Sequence, residues 1–313
     1  MTDHHHSQDL GTTPWDVLTV LVLAAAAAGY AVALVASRRR SPWPTHRTAL
    51  WYLGLACAAA ALGPVASAAR TSFTAHMLGH VLLGMLAPLL LVLAAPVTLL
   101  LRALPVDRAR TVTGILRSPW ARVVSHPVTA SLLNAGGLWL LYTTELFHHA
   151  HASALLGLAV HAHVLLAGGL FTASLVGPDS RLHPVSLRVR AAVLVVFVAT
   201  HSVLAKWLYA HPPPGVGTQD GRAGAQLMYY GGDMVDVTLM VLLAADWYRV
   251  TGRRSGVRAG SIVPTVGETT SRRGADRTEG ATDDRARAPA PTGEAARRPR
   301  HRRIQRHRLR DRP

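Results

Sequence analysis

Long runs of apolar residues, separated by short polar stretches, occupy the first 250 of the 313 residues of the chain. A transmembrane helix needs about 20 mostly apolar residues, and seven runs reach that length. They are residues 15–36, 48–69, 77–101, 127–147, 152–176, 189–210 and 225–248. The fourth run is the weakest, because Asn134, Glu145 and several threonines interrupt it. The pattern predicts an all-α membrane protein, a bundle of seven transmembrane helices over residues 15–250.

The arginines between these runs alternate from one side of the predicted bundle to the other. They are frequent after the first, third, fifth and seventh runs, as in "SRRRSPWPTHR", whereas the remaining loops contain only Arg70 and Arg222. Short loops rich in Lys and Arg stay in the cytoplasm. We therefore expect a short extracytoplasmic N-terminus, residues 1–14, a cytoplasmic C-terminus, and a location in the plasma (inner) membrane.

Residues 251–313 differ in composition from the rest of the chain. The apolar runs stop, and Arg, Gly, Pro, Thr and Ala prevail up to the terminal "RRPRHRRIQRHRLRDRP". Such a segment cannot bury enough apolar surface to offset the entropy lost on ordering, so we expect a disordered tail. It carries most of the formal net charge of +16. Basic segments beside a bilayer contact anionic headgroups, so the expected partners of the tail are membrane lipids and not nucleic acid.

Titratable residues recur at similar depths within several predicted spans. His76 and His80 are one helical turn apart with Met77 between them, so all three crowd one sector of a helix. Polar groups inside spans are costly and are often functional. Counting about 1.5 Å per residue from the extracytoplasmic ends places four further residues in the same outer half: His161, His201, Asp233 and Asp236.

Imidazole together with thioether indicates copper, since Met selects Cu(I) and His binds both copper states. The predicted copper ligands are drawn from His76, Met77, His80, His161, His201, Asp233 and Asp236. His161 is preferred to His163 for its depth, because residues two apart on a helix point in different directions. For each single histidine, a hydrogen bond to a neighbouring helix is an equally good explanation. The shared depth is what favours a site.

Other residues affect the shape of the helices around this site or exclude other kinds of metal site. The stretch "GPVASAARTSF" with Pro88 and Pro96 predicts bends around the histidine pair. In "YYGGDMVD", two glycines precede Asp233 and allow a close helix approach there. Cys57 is the sole cysteine, so no cysteine pair is available for a metal site or a disulfide.

Residues 30–250 resemble the multi-pass CtaG-type cytochrome c oxidase assembly proteins. The stretches that carry the resemblance are "HMLGHVLLGMLAPLLLVLAAPVTLLLRALP" and "DGRAGAQLMYYGGD", with weaker support from "RRRSPWP" and "LVGPD". The resemblance implies a non-enzymatic assembly factor for a haem-copper oxidase that handles copper, with oxidase subunits or other assembly factors as partners. It also implies that His76, His80 and Asp233 are motif residues. The chain departs from the family at Tyr142, where members commonly have a histidine, and in the short "HAH" spacing at 161–163.

Two other function classes were weighed against the copper hypothesis. In a b-type haem-binding electron-transfer protein, His80 and His201 would be the axial ligand pair. A retinal-type proton pump would need a Schiff-base lysine in the seventh helix, whereas the only lysine, Lys206, lies in the sixth predicted span. No phosphate-binding loop, HExxH stretch or hydrolase triad is apparent in the sequence, so we expect no enzymatic activity.

Overall fold

The structure, a computed structural model, describes residues 14–38, 42–177 and 185–260, with the backbone alone for residues 250 and 252–260. Nearly all of the predicted N-terminal segment and most of the predicted tail lie outside these residues. Each secondary-structure element in the described part of the chain is helical. The α-helices are α1 Pro14–Ser37, α2 Thr45–Leu62, α3 Pro64–Ala68, α4 Phe73–His80, α5 Ala87–Leu93, α6 Pro96–Ala103, α7 Val106–Leu116, α8 Pro119–Val124, α9 Pro127–Thr143, α10 Leu146–Ala152, α11 Ala154–Val176, α12 Leu187–Ala210 and α13 Thr218–Gly260. A π-helical segment, Val81–Leu86, joins α4 to α5.

The described chain is that of a multi-pass membrane protein. Six helical stretches in it are long and apolar enough to cross a bilayer: Pro14–Ser37, Thr45–Ala68, Phe73–Leu93, Ala154–Val176, Leu187–Ala210 and Thr218–Arg249. The fourth predicted span, 127–147, forms α9, which has 17 residues and packs against α11 and α12. The count of seven spans and their orientation therefore stay predictions.

The third predicted span, 77–101, is divided among several helical segments. The helix begins at Phe73, widens into the π-helical segment, and breaks at Ala94 and Ala95 before α6 begins at Pro96. Ala95 has a left-handed φ of 52°. The helix ends here because a residue that precedes proline is disfavoured in the right-handed helical region. The interruption predicted at Pro96 is confirmed, and the π-helical segment ends just before Pro88.

Two further boundaries differ from the prediction. The second span is divided at Gly63, after which Pro64 begins α3, a favourable position because proline has no N–H to satisfy there. The last helix is longer than predicted, running from Thr218 to Gly260. No proline occurs between Pro214 and Pro264, so no residue that lacks a backbone N–H interrupts the helical hydrogen bonds.

Two apolar clusters fill the interior of the bundle. The first contains Phe73, Met77, Leu141, Leu204 and Met228 among its buried residues. The second contains Met85, Leu89, Phe197, Val235 and Leu239. Between the two clusters along the chain lie His80 at the end of α4, His201 on α12 and Gly232 on α13. The candidate site therefore lies at the level where the two clusters meet.

Candidate functional site

The start of α4 is attached to the start of α13 by Asp220. The carboxylate accepts hydrogen bonds from the backbone N–H of Phe73 (2.6 Å) and of Thr74 (3.0 Å). It also accepts from the hydroxyls of Ser72 (3.1 Å) and Thr74 (2.6 Å). The first N–H groups of a helix have no partner within the helix, so a carboxylate supplied by another helix caps α4. This contact sets the position of the helix that carries His76 and His80.

The π-helical segment places His80 at a close approach between helices. Pro88 has no N–H to donate to the carbonyl of Gly84 four residues earlier, and the N–H of Ala87 bonds Leu82 five residues earlier instead. The carbonyl of Gly84 lies directly against Gly168 of α11. A Cβ on Gly84 itself would lie 3.3 Å from Nδ1 of His80. The absence of side chains at these glycines lets the His80 ring and α11 pack together.

A small cavity lies between α2, α3, α4, α9 and α11. Its volume is about 40 Å³, and its polar lining residues are His76, His80, Tyr142 and His161. The remaining wall is apolar and includes Ala61, Leu83, Leu141, Val160 and Val164. A cavity needs only about 10–15 Å³ to hold one water molecule, so this space accommodates a single ion or a few waters.

His80 and His201 form a buried pair in which neither Nε2 atom has a hydrogen-bond partner. Their ring centroids are 6.0 Å apart, and the two residues are 7% and 2% exposed. Within the described part of the chain, both Nε2 atoms are buried and unpaired. The His201 ring also lies against α13, where a Cβ on Gly232 would meet Cε1 at 2.5 Å. The close helix approach predicted for the two glycines before Asp233 is therefore confirmed, and at Gly232 it makes room for His201.

His76 is paired, in contrast to His80. Its Nε2 is 3.1 Å from the Tyr142 hydroxyl, which also lies 3.9 Å from the sulfur of Met77. One assignment satisfies the three groups: His76 Nε2–H donates to the hydroxyl oxygen, and the hydroxyl donates to the sulfur. His76, Met77 and Tyr142 thus form a closed cluster, one turn from the open His80–His201 pair.

The other predicted ligands occupy separate positions. His161 lines the cavity, whereas Nε2 of His163 lies 3.2 Å from the Leu133 carbonyl on α9. Asp233 is half-buried on α13. Asp236, one turn along, is 1% exposed, and neither carboxylate oxygen has a hydrogen-bond partner within the described residues.

The structure brings the predicted ligands together as neighbours and does not assemble all seven around one point. Among the described residues, no group of three or more His, Cys, Asp or Glu side chains is arranged to hold a metal ion. His76, His80 and His161 share a cavity, His80 faces His201, and the two aspartates follow along α13.

Two residues of the site were missed by the sequence reasoning. Asp220 is the first residue of the stretch "DGRAGAQLMYYGGD", and its early place in a motif was the only available signal. His151 is exposed, and its ring centroid is 5.3 Å from that of His76. Nothing in the local sequence indicates that α10 folds back against α4.

Comparisons with known proteins give one family and no solved relative. The model of a family described as cytochrome c oxidase caa3 assembly factor (Caa3_CtaG) matches residues 28–250. An uncharacterized protein of Mycobacterium bovis is 34% identical over 168 residues, which cover 49% of this chain and 24% of that protein. An uncharacterized protein of Mycobacterium leprae is 28% identical over 251 residues, or 71% of this chain and 37% of that protein. The chain thus spans well under half the length of these relatives, and no solved structure matches it.

Proposed function

The chain belongs to the cytochrome c oxidase caa3 assembly factor family, and from this premise we propose that it hands copper to a haem-copper oxidase during assembly. In this proposal the protein is not an enzyme, and copper is its cargo. It works in the plasma membrane with its N-terminus outside, together with oxidase subunits or other assembly factors. In this orientation the histidine cavity lies in the outer half of the bundle.

The observation that carries the copper proposal is the open His80–His201 pair. Leaving a buried polar atom without a hydrogen bond costs about 1–3 kcal/mol. Among the described residues, the Nε2 atoms of His80 and His201 are two such atoms. A metal ion bound by either Nε2 would remove that cost. Imidazole nitrogen suits copper, and the thioether of Met77 nearby favours Cu(I).

The size of the cavity supports a small, transiently bound cargo better than a large resident cofactor. Its volume of about 40 Å³ is far below the roughly 300–1,000 Å³ of pockets that hold small molecules and cofactors. A porphyrin between His80 and His201 would need α4 and α12 to separate. The haem alternative therefore gains no support from the geometry.

Copper binding can be tested with the full-length protein purified in detergent. Cu(I), supplied as its acetonitrile complex without oxygen, should bind to the wild type and bind more weakly to His80→Ala and His201→Ala. Removing groups that support a metal site costs about 10–100-fold in affinity, and loss of a ligand should cost at least as much. A competing chelator of known affinity measures the change.

His163→Ala is the matched control, because this histidine lies on α11 like His161 but bonds the Leu133 carbonyl outside the cavity. It should bind copper like the wild type. In cells that lack the protein, wild type and His163→Ala should restore oxidase activity, whereas His80→Ala and His201→Ala should not in copper-poor medium. Equal copper affinity in all four proteins would contradict the proposal.

A further inference from the structure

Three exposed histidines lie on the short helix α10, beside the cavity but outside the predicted site. They are His148, His149 and His151. The helix lies between α9 and α11 in the chain and packs against both. It therefore stands at the end of the bundle where α4 begins, next to the cavity lining.

His151 is the one that contacts a residue of the cavity lining, His76. Its ring centroid is 5.3 Å from that of His76, and Phe147 lies 4.4 Å from His151 and 5.0 Å from His76. His76 is half-buried and lines the cavity, whereas His151 is exposed. The two rings thus connect solvent to the cavity in a single step.

Local hydrogen bonds leave a nitrogen of His151 available as a ligand. Its Nδ1 is 2.8 Å from the carbonyl of Phe147, and because a carbonyl only accepts, Nδ1 carries the proton. The lone pair is then on Nε2. Metal-bound histidines commonly donate their other N–H to a backbone carbonyl in this way.

His149 has the same local geometry without the contact to His76. Its Nδ1 is 2.7 Å from the carbonyl of Glu145, and its ring faces that of His148 at 6.2 Å. It is exposed like His151 and lies on the same helix. His149 is therefore an internal control for His151, because it has the same hydrogen bond and exposure but no contact with His76.

We propose that His151 and His76 form a loading site that takes Cu(I) from the aqueous phase and passes it into the cavity. Metal–imidazole bonds are about 2 Å long, so two rings 5.3 Å apart can share one ion after a small rotation. Transfer is ligand exchange: the bond from copper to His151 breaks as one to His161 or His80 forms. The oxidation state of the copper does not change, and no other reactant is needed.

The loading site rests on the proposed copper function, and the experiments distinguish failure of the loading site from failure of the copper function. Full-length protein in detergent is treated with diethyl pyrocarbonate, which modifies exposed neutral imidazoles, and the modified histidines are identified by mass spectrometry. With two equivalents of Cu(I), one to fill the inner site and one to occupy the loading site, modification of His151 should fall and that of His149 should not. Equal protection of both, or of neither, would overturn the loading site.

Kinetics supply the second measurement. In rapid mixing with Cu(I), His151→Ala should fill the inner site about tenfold more slowly, the lower end of the losses seen when a supporting group of a metal site is removed. Its final affinity should equal that of the wild type, and His149→Ala should match the wild type in both rate and affinity. If the wild type binds copper but His151→Ala fills as fast, the loading site is wrong and the copper function stands. If the wild type binds no copper, the copper function itself is wrong.

Discussion

Two polar clusters, at opposite ends of the second span, differ in how completely their side chains are paired. At the start of α2, the indole N–H of Trp43 donates to the Tyr30 hydroxyl at 3.0 Å, and that hydroxyl donates to the Ala94 carbonyl at 3.4 Å. The guanidinium groups of Arg47 and Arg102 lie 5.1 and 5.2 Å from the Trp43 ring. At the other end, His80 and His201 have buried nitrogens with no partner among the described residues.

The difference indicates which cluster stabilises the fold and which can bind a ligand. Around Trp43, each interaction joins α1, α2 or α6 to a neighbour, and the hydroxyl of Tyr30 bonds a carbonyl at the break before Pro96. Such a network stabilises a fold without needing anything else. Unpaired buried nitrogens are costly. The indole nitrogen of Trp51, stacked on Tyr30, is also unpaired among the described residues, but an indole N–H can only donate, whereas an imidazole nitrogen with a lone pair can bind a metal ion. Variants in the two clusters should therefore affect different measurements.

The largest effect is expected for Gly232→Ala. The new Cβ would lie 2.5 Å from Cε1 of His201, so the ring or the helix must move, and overpacking of this kind costs about 1–3 kcal/mol. Thermal unfolding in detergent should show lower stability, and copper affinity should fall with it. Gly169→Ala is the control, because a Cβ there meets nothing within 4 Å. Equal stability and copper affinity in the two variants would show that the close approach does not hold His201 in place.

A smaller loss is expected for Asp220→Ala, which removes the cap of α4 and both hydroxyl contacts. Loss of a capping side chain costs about 0.5–2 kcal/mol, and the helix that carries His76 and His80 loses its attachment to α13. The unfolding temperature should fall, with weaker copper binding. Asp107→Ala, at an exposed carboxylate 3.8 Å from Arg110, should change neither. A stable Asp220→Ala variant with normal copper binding would contradict the positioning role.

Tyr142→Phe should strengthen copper binding. The change removes the hydroxyl that holds Nε2 of His76 and the sulfur of Met77. Because a net hydrogen bond is worth about 1 kcal/mol, affinity should rise about fivefold if copper competes with it. Chelator competition measures the change, with Tyr209→Phe, an exposed tyrosine on α12, as control. Weaker binding in Tyr142→Phe would show that the hydroxyl assists the metal instead.

The smallest effect is expected for Trp43→Phe, which keeps an aromatic ring near both arginines but loses the N–H donated to Tyr30. The free energy of unfolding should fall by about 1 kcal/mol, while copper affinity and loading rate stay at the wild-type values. A change in copper binding in this variant would show that the two clusters are coupled through α2.

Much of the helical architecture was predictable, because the cost of burying backbone in lipid makes apolar length a strong signal. The runs that became α1, α11 and α12 were located within two residues of their observed bounds. The third span was harder. Pro88 and Pro96 indicated bends, but neither residue reveals that one bend becomes a π-helical segment and the other a break with left-handed Ala95. Those outcomes depend on the helices packed alongside.

The sequence by itself determined the membrane class, most of the helical segments and the set of candidate histidines, because hydropathy and helical spacing are local properties. Only the tertiary structure decided which of those residues meet. It put His161 on the cavity and His163 against α9, paired His76 with Tyr142, left His80 and His201 open to each other, and brought Asp220 and His151 to the start of α4. The physical reason is that these contacts join helices far apart in sequence. Their partners are selected by glycine-mediated close approach and by the rotation of each helix, which no local pattern encodes.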